Sequence, residues 1–244
     1  MICSLTAMPK IGILELTKTD CMYLDKKFSE LSARDYVSIH LNHGRISGGE
    51  AVTQLQDCRI LTMTGTLLGE ARHASFFTDS RNILPVLGWF AVLDQLGSCY
   101  INKAKPLYPD RQASGVKKSL YYLCNFAPND EQTKTLYALR NALVHDSSFF
   151  SRGNSNRSNY FFRYDSSLES CIQSSITEWN GHLTDIREEV ITLVNPKEIK
   201  ALAESAYTEA FQLLQEDDLD TEFDERSLEI AYRYLLTTHD ESQA

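Results

Sequence analysis

Residues 129–146 read NDEQTKTLYALRNALVHD, and the whole chain is best approached from this stretch. It follows Pro128. Asn129 offers an N-cap, with Gln132 at the capping-box position three residues on. Asp130 and Glu131 place carboxylates at the positive end of a helix dipole. Leu136, Leu139 and Leu143 recur at helical spacing and form one apolar stripe. The run Asp146-Ser147-Ser148 ends the helix. Near that end stand Arg140 and His145. Arginine is a permanent cation whose planar fork fits phosphate, and histidine moves protons near neutral pH. Together they can cleave a phosphodiester without a metal. Asn141 and His145 are four apart and share a helix face, so Asn141 can orient the imidazole.

Upstream, residues 82–102 form a second predicted helix, with Pro85 in its first turn. Val86, Phe90, Leu93, Gly97 and Tyr100 make one stripe, and Trp89, Val92 and Leu96 widen it until the helix is apolar nearly all round, as buried helices are. Asp94 can pair with Arg140 across the core. The reading favoured here places it instead with Gln95, Ser98 and Asn102 in one solvated stripe. A short helix carries Val116, Leu120, Leu123 and Cys124. Earlier still, residues 50–76 and 23–41 are predicted helical and 11–16 a short strand, with a break at Asn42-His43-Gly44 and Gly48-Gly49.

Downstream the pattern changes. Residues 160–164 are aromatic and strand-like. Asn180-Gly181 is a hairpin signal between 176–179 and 182–186, and 190–194 is another strand. Asn195-Pro196-Lys197-Glu198 then opens a helix with an N-cap, proline at the first position and an acid in the first turn. Its apolar face holds Ile199, Leu202, Ala206, Ala210 and Leu213. A last helix is expected over 225–236. The segment 149–163 supplies Phe149, Phe150, Arg152, Arg157, Tyr160, Phe161 and Arg163, and cations interleaved with rings suit a single-stranded nucleic acid.

The spacing of arginine and histidine is weak evidence by itself. It occurs three times, at Arg34/His40, Arg140/His145 and Arg233/His239. Context separates them: the last runs into the chain end, the first lies on a helix of uncertain extent, and Arg140/His145 lies on the best delimited helix. A plain structural alternative stays open. Arg140 can stitch its helix to a neighbouring acid, His145 can cap the helix end, and the aromatics of 149–163 can pack inward.

Bulk properties narrow the class. The chain has 244 residues, 43% hydrophobic and 23% charged, ordinary for a globular protein. No apolar run spans a bilayer and no signal peptide is read, so a cytoplasmic location is expected. The six cysteines are widely spaced with no C-x-x-C pair, which argues for free thiols and against zinc. No Walker or Rossmann glycine loop and no G-x-S-x-G elbow occurs, so no cofactor and no metal are expected. A net charge of -9 argues against a general nucleic-acid coat. Charge is uneven, however: residues 215–226 hold seven acids against one arginine, while 151–163 hold three arginines and no acid. The acidic run is read as solvated, or as a cover for a basic surface.

LRNALVHD, with the preceding LGWFAVLDQLGSCY, resembles the HEPN superfamily (higher eukaryotes and prokaryotes nucleotide-binding). These are helical domains marked by R-x4–6-H, commonly with a polar residue after the arginine, where Asn141 stands here. The likeness covers about residues 60–150 and, more loosely, the C-terminal helices; the first fifty residues and the β segment fall outside it. It implies a metal-independent endoribonuclease of a defence or toxin–antitoxin system, acting as a homodimer. Arg140 would hold the scissile phosphate and its transition-state charge, Asn141 would position phosphate or imidazole, and His145 would act as general base or acid, leaving a 2′,3′-cyclic phosphate. Arg152, Arg157 and Arg163 are the RNA-binding expectation, and an antitoxin or nucleotidyltransferase is a possible partner class. Some family members are non-catalytic binding modules, which is the alternative.

The expected fold is therefore mainly α, a HEPN-like bundle with a small β-hairpin or arm inserted after the motif helix. One domain is expected over 1–244, with core helices at about 50–148, the insertion at 149–194 and C-terminal helices at 195–237.

Overall fold

The apolar stretch expected at the centre is there. In the computed structural model, which describes residues 23–42, 52–76, 83–153, 158–223 and 227–238, helix α3 (Ile83–Cys99) buries Val86, Trp89, Phe90, Val92, Leu93 and Leu96. It packs against α2 (Met63–Ala74), α4 (Gly115–Cys124) and α6 (Pro196–Glu216), and more lightly against the motif helix α5 (Glu131–His145). Amphipathic helices laid on an apolar one bury their stripes on it. The main core thus joins α3 to Leu120 and Leu123 of α4, Leu136, Leu139 and Leu143 of α5, and Ile199, Ala203, Ala206 and Ala210 of α6.

A second, smaller core gathers Tyr23, Tyr36, Ile39, Leu55, Ile60, Ala231 and Leu235. It lies where α1 (Ala33–Asn42) meets α7 (Ser227–Tyr234). A three-stranded antiparallel sheet accompanies it. There β2 (Arg59–Thr62) sits between β1 (Val52–Gln54) and β9 (Leu235–Thr238). A two-stranded pair joins β3 (Tyr100–Asn102) to β8 (Leu219–Thr221). The third sheet has four strands in the order β4 (Phe150–Ser151), β5 (Tyr160–Tyr164), β7 (Ile191–Val194), β6 (Ile172–Gln173). Its β5–β7 pair is parallel and the other pairs are antiparallel.

The mainly helical expectation is therefore corrected. The described residues are about 52% helical and 17% strand, in three sheets, so the fold is mixed α/β. Each misreading has a local cause. The predicted helix at 50–76 is a hairpin followed by a helix. Residues 59–62 form the central strand of a three-stranded sheet and bury every second side chain, Ile60 and Thr62, and Thr62 caps α2 by accepting the Gly65 N–H at 3.1 Å. The predicted helix at 82–102 stops at Cys99 because Tyr100–Asn102 pair with the acidic run. That run is thus not merely solvated: it forms β8, and its Glu222 pairs with the buried Lys118 at 2.6 Å.

The helix expected over 23–41 begins only at Ala33. Ser32 and Asp35 cap it reciprocally, at 2.8 and 3.2 Å. Asn180-Gly181 is a turn, with Gly181 at φ 87, but no hairpin follows. Asn180 Oδ1 accepts the His182 N–H at 2.9 Å, and residues 183–185 form a single 3-10 turn. The buried Trp179 bridges Asn159 instead of a strand across the turn. The final helix is short and gives way to β9. The strand at 160–164 and the start of α6, with Asn195 Oδ1 accepting the Lys197 N–H at 2.9 Å, match expectation. The strand expected at 11–16, and the Gly48-Gly49 break, lie outside the described residues. Among the described residues no helix is long and apolar enough to cross a membrane.

Candidate functional site

Helix α5 begins one residue later than its sequence suggests. Asp130, not Asn129, is the N-cap and accepts the Gln132 N–H at 2.7 Å. The helix runs to His145. Ser147 then takes a left-handed conformation at φ 48, and the Ser148 N–H turns back to the Ala142 carbonyl at 3.1 Å. This tight exit sends the chain straight into β4, so the β4–β5 arm lies along the helix it has just left.

The arginine–histidine pair is assembled at that end. Arg140 Nη1 donates to His145 Nε2 and to Asn141 Oδ1, each at 3.2 Å. Its Nη2 donates to Asp94 Oδ2 at 2.7 Å. Charge-assisted contacts of this kind hold a guanidinium more firmly than neutral ones.

Asp94 is the residue that sequence reasoning misplaced. It belongs to no solvated stripe: Gln95 and Asn102 are buried, and Asp94 carries two tasks. While one oxygen holds Arg140, Oδ1 accepts the Val116 N–H at 3.1 Å and so caps α4. Two glycines permit this. A Cβ on Gly97 would lie 1.9 Å from the Gly115 carbonyl oxygen, and one on Gly115 would lie 1.9 Å from the Asp94 carbonyl oxygen. With those side chains absent, α3 and α4 touch backbone to backbone, which brings Asp94 to the first turn of α4.

Beside the pair lies a cleft of about 500 Å³ between α5 and the arm. The helix contributes Glu131, Lys134, Tyr137, Asn141 and His145, and the arm contributes Ser151, Arg152, Ser158 and Tyr160. Lys117 enters from α4. Arg140 itself is outside the lining and reaches the rim through Asn141 and His145. Lys117 Nζ stands 4.3 Å from the Tyr137 ring centre, and the Arg152 guanidinium 5.4 Å from that of Phe150. Tyr160 stacks on Phe162 and donates to Glu131 Oε1 at 3.2 Å. Burial raises its hydroxyl pKa, with the neighbouring Glu131 charge adding to the rise.

The expected RNA-binding arginines part company. Arg152 lines the cleft. Arg163 lies one position out of phase with Tyr160 on β5 and faces the other way. There Glu188 holds it in a bidentate pair at 2.9 and 2.5 Å, which raises its pKa and lowers that of the carboxyl. Arg157 lies outside the described residues. Sequence reasoning missed Lys117, Lys134 and Tyr137. Lys134, Ala138, Asn141 and His145 follow helical spacing on one face, a signal that was available. Lys117 had none, since it comes from another helix.

The competing pair does not form a site. Arg34 is exposed and paired to Asp217 at 3.2 Å. His40 is fully buried: Nδ1 meets the Tyr100 hydroxyl at 2.5 Å, and Nε2 accepts from Thr64 Oγ1 at 2.6 Å and Gln95 Nε2 at 3.1 Å. Burial pushes its pKa down to about 3. Of Arg233/His239, Arg233 pairs with Glu229 in α7, and His239 lies outside the described residues.

Comparison of the chain with protein-family models, with curated proteins and with solved structures finds no match.

Proposed function

We propose that this protein is a metal-independent endoribonuclease of the HEPN type, kin to that superfamily in its motif helix rather than in an all-helical fold. The observation that carries the reading is the contact of Arg140 with His145 at 3.2 Å, beside an open cleft, with the guanidinium held from behind by Asp94. In the reaction the 2′-hydroxyl oxygen attacks phosphorus and the bond to the 5′-oxygen breaks. The hydroxyl proton leaves and the 5′-oxygen gains one. His145 handles the proton at one of these oxygens. Arg140 offsets the charge that grows on the phosphoryl oxygens, and Asn141 steers the groups between them. The products are a 2′,3′-cyclic phosphate and a 5′-hydroxyl. A homodimer and a role in a defence or toxin system belong to the same proposal.

Cleavage of varied RNAs in EDTA, by wild type and by Arg140→Ala and His145→Ala, tests it. Cyclic 3′ ends that vanish in both variants, with folding intact, support the nuclease. Activity surviving in both variants removes the site.

A second reading, a non-catalytic binding module, has one observation in its favour. The Asp94–Arg140 ion pair at 2.7 Å is also what a helix-to-helix stitch looks like. No cleavage and no growth arrest on expression favours that reading.

A further inference from the structure

The cleft holds more than the pair requires. Its two walls each present a cation resting on an aromatic ring: Lys117 on Tyr137, and Arg152 on Phe150. Neither forms an ion pair with a described residue, whereas Arg34, Arg72, Arg140, Arg163, Lys118 and Lys134 all do. Cations held by rings and left without a carboxylate keep their charge available to a passing anion. Two tyrosine rings, Tyr137 and Tyr160, line the same space. The cleft's carboxylates do not cancel this. Glu131 accepts from Tyr160 and Lys134, both at 3.2 Å, and Asp146 lies at the far end, beyond His145. From Glu131 to His145 the lined face of α5 runs fifteen residues, about 21 Å from first to last. A volume of about 500 Å³ is that of a small-ligand site.

We propose that this cleft is a nucleotide subsite beside the cleavage position. One base lies against Tyr137 and Tyr160, and the adjoining phosphates are taken by Lys117 and Arg152. The inference rests on the endoribonuclease reading and adds its substrate requirement: the RNA must offer an unpaired, unstacked base there, because a base inside a duplex cannot present its face to a tyrosine. Arg163, on the other face of β5, takes no part.

The test separates binding from cleavage. A labelled single-stranded oligoribonucleotide with 2′-O-methyl groups, which blocks attack by the 2′-oxygen, is titrated into the wild-type protein at several salt concentrations. A hairpin duplex of the same composition, nucleoside monophosphates and inorganic phosphate are run beside it. The single strand is expected to bind at least tenfold tighter than the duplex. Tyr137→Leu should weaken binding about tenfold. Lys117→Ala and Arg152→Ala should each lower the salt slope by about 0.7, and Arg163→Ala should leave it unchanged. Monophosphates should compete, and inorganic phosphate should not. The subsite is overturned if no oligonucleotide binds, if duplex binds as well as single strand, if Lys117→Ala and Tyr137→Leu bind like wild type, or if inorganic phosphate competes as well as a nucleotide. If binding behaves as expected while unmodified RNA stays intact, the subsite stands and the nuclease reading falls.

Discussion

Helices α1 and α5 carry the same kind of sequence pattern and put it to opposite uses. Arg34 and His40 are six residues apart, about 120° around a helix by the shorter way, and Arg34 is exposed while His40 is fully buried. Arg140 and His145 are five apart at a helix end, about 140° around, and two long side chains close the gap to 3.2 Å. In the second pair Arg140 is largely covered, and His145 stays exposed beside a cleft. The buried histidine is locked by Tyr100, Thr64 and Gln95 and cannot take a proton without losing its surroundings. A spacing rule finds both; only burial and the third partner tell an exposed histidine from a locked one.

The contrast is sharpest in activity. His145→Ala should lower RNA cleavage by about 10²–10⁴-fold, the usual worth of a positioned acid or base. Its melting temperature should not change, because the residue is exposed. A His145→Ala protein that melts well below wild type would give α5 the structural role assigned here to α1. The glycine contact comes next. Gly97→Ala sets a methyl against the α4 backbone and should destabilise the fold by about 1–3 kcal/mol, lowering cleavage with it as Asp94 is moved. Unchanged denaturant midpoints would mean that α3 and α4 can separate freely.

The buried histidine makes a prediction in pH. Its folded pKa is depressed to about 3, below the unfolded value near 6.5. The unfolded chain therefore binds a proton in this window that the folded one refuses. Stability is fully present above pH 6.5 and declines as pH falls toward 3, by an amount on the order of a few kcal/mol. His40→Asn should be less stable at neutral pH, yet show a flatter decline between pH 6.5 and 4 in thermal melts. An equally steep decline would assign the acid sensitivity to other groups. A smaller effect is expected at Asp94→Asn, which keeps the α4 cap but removes the charge behind Arg140. Cleavage should drop about tenfold, since charged hydrogen bonds are worth roughly 1.5–3 kcal/mol, and a near-normal melt would locate the loss in positioning. A drop in stability without a drop in rate would make Asp94 a stitch alone. Smallest of all, Arg163→Ala should alter neither cleavage nor the melting temperature, because its pair with Glu188 is exposed.

Much of the helical frame was legible in the residues. Asn195-Pro196 marked the start of α6, and the apolar run of α3 announced a buried helix. Capping residues and 3.6-residue stripes are local and need no partner to be read. The strands were harder. Tyr100–Asn102 continue an apolar helical pattern and leave it only because Leu219–Thr221 lie alongside. Residues 59–62 pair with β1 just upstream and with β9, about 175 residues further on. Asp94 looked like one polar residue in an otherwise apolar helix. Its purpose appears only when α4 is brought against α3.

The sequence by itself determined the motif helix, its polarity and the presence of Arg140, Asn141 and His145 near its end, because helix period and capping are local physics. The tertiary structure alone decided that Asp94 backs Arg140, that Lys117 and Arg152 share a cleft while Arg163 turns away, and that the helical core is edged by three sheets. Those outcomes depend on which surfaces meet across long stretches of chain, where the energy lies in burial and pairing between elements that no local pattern records.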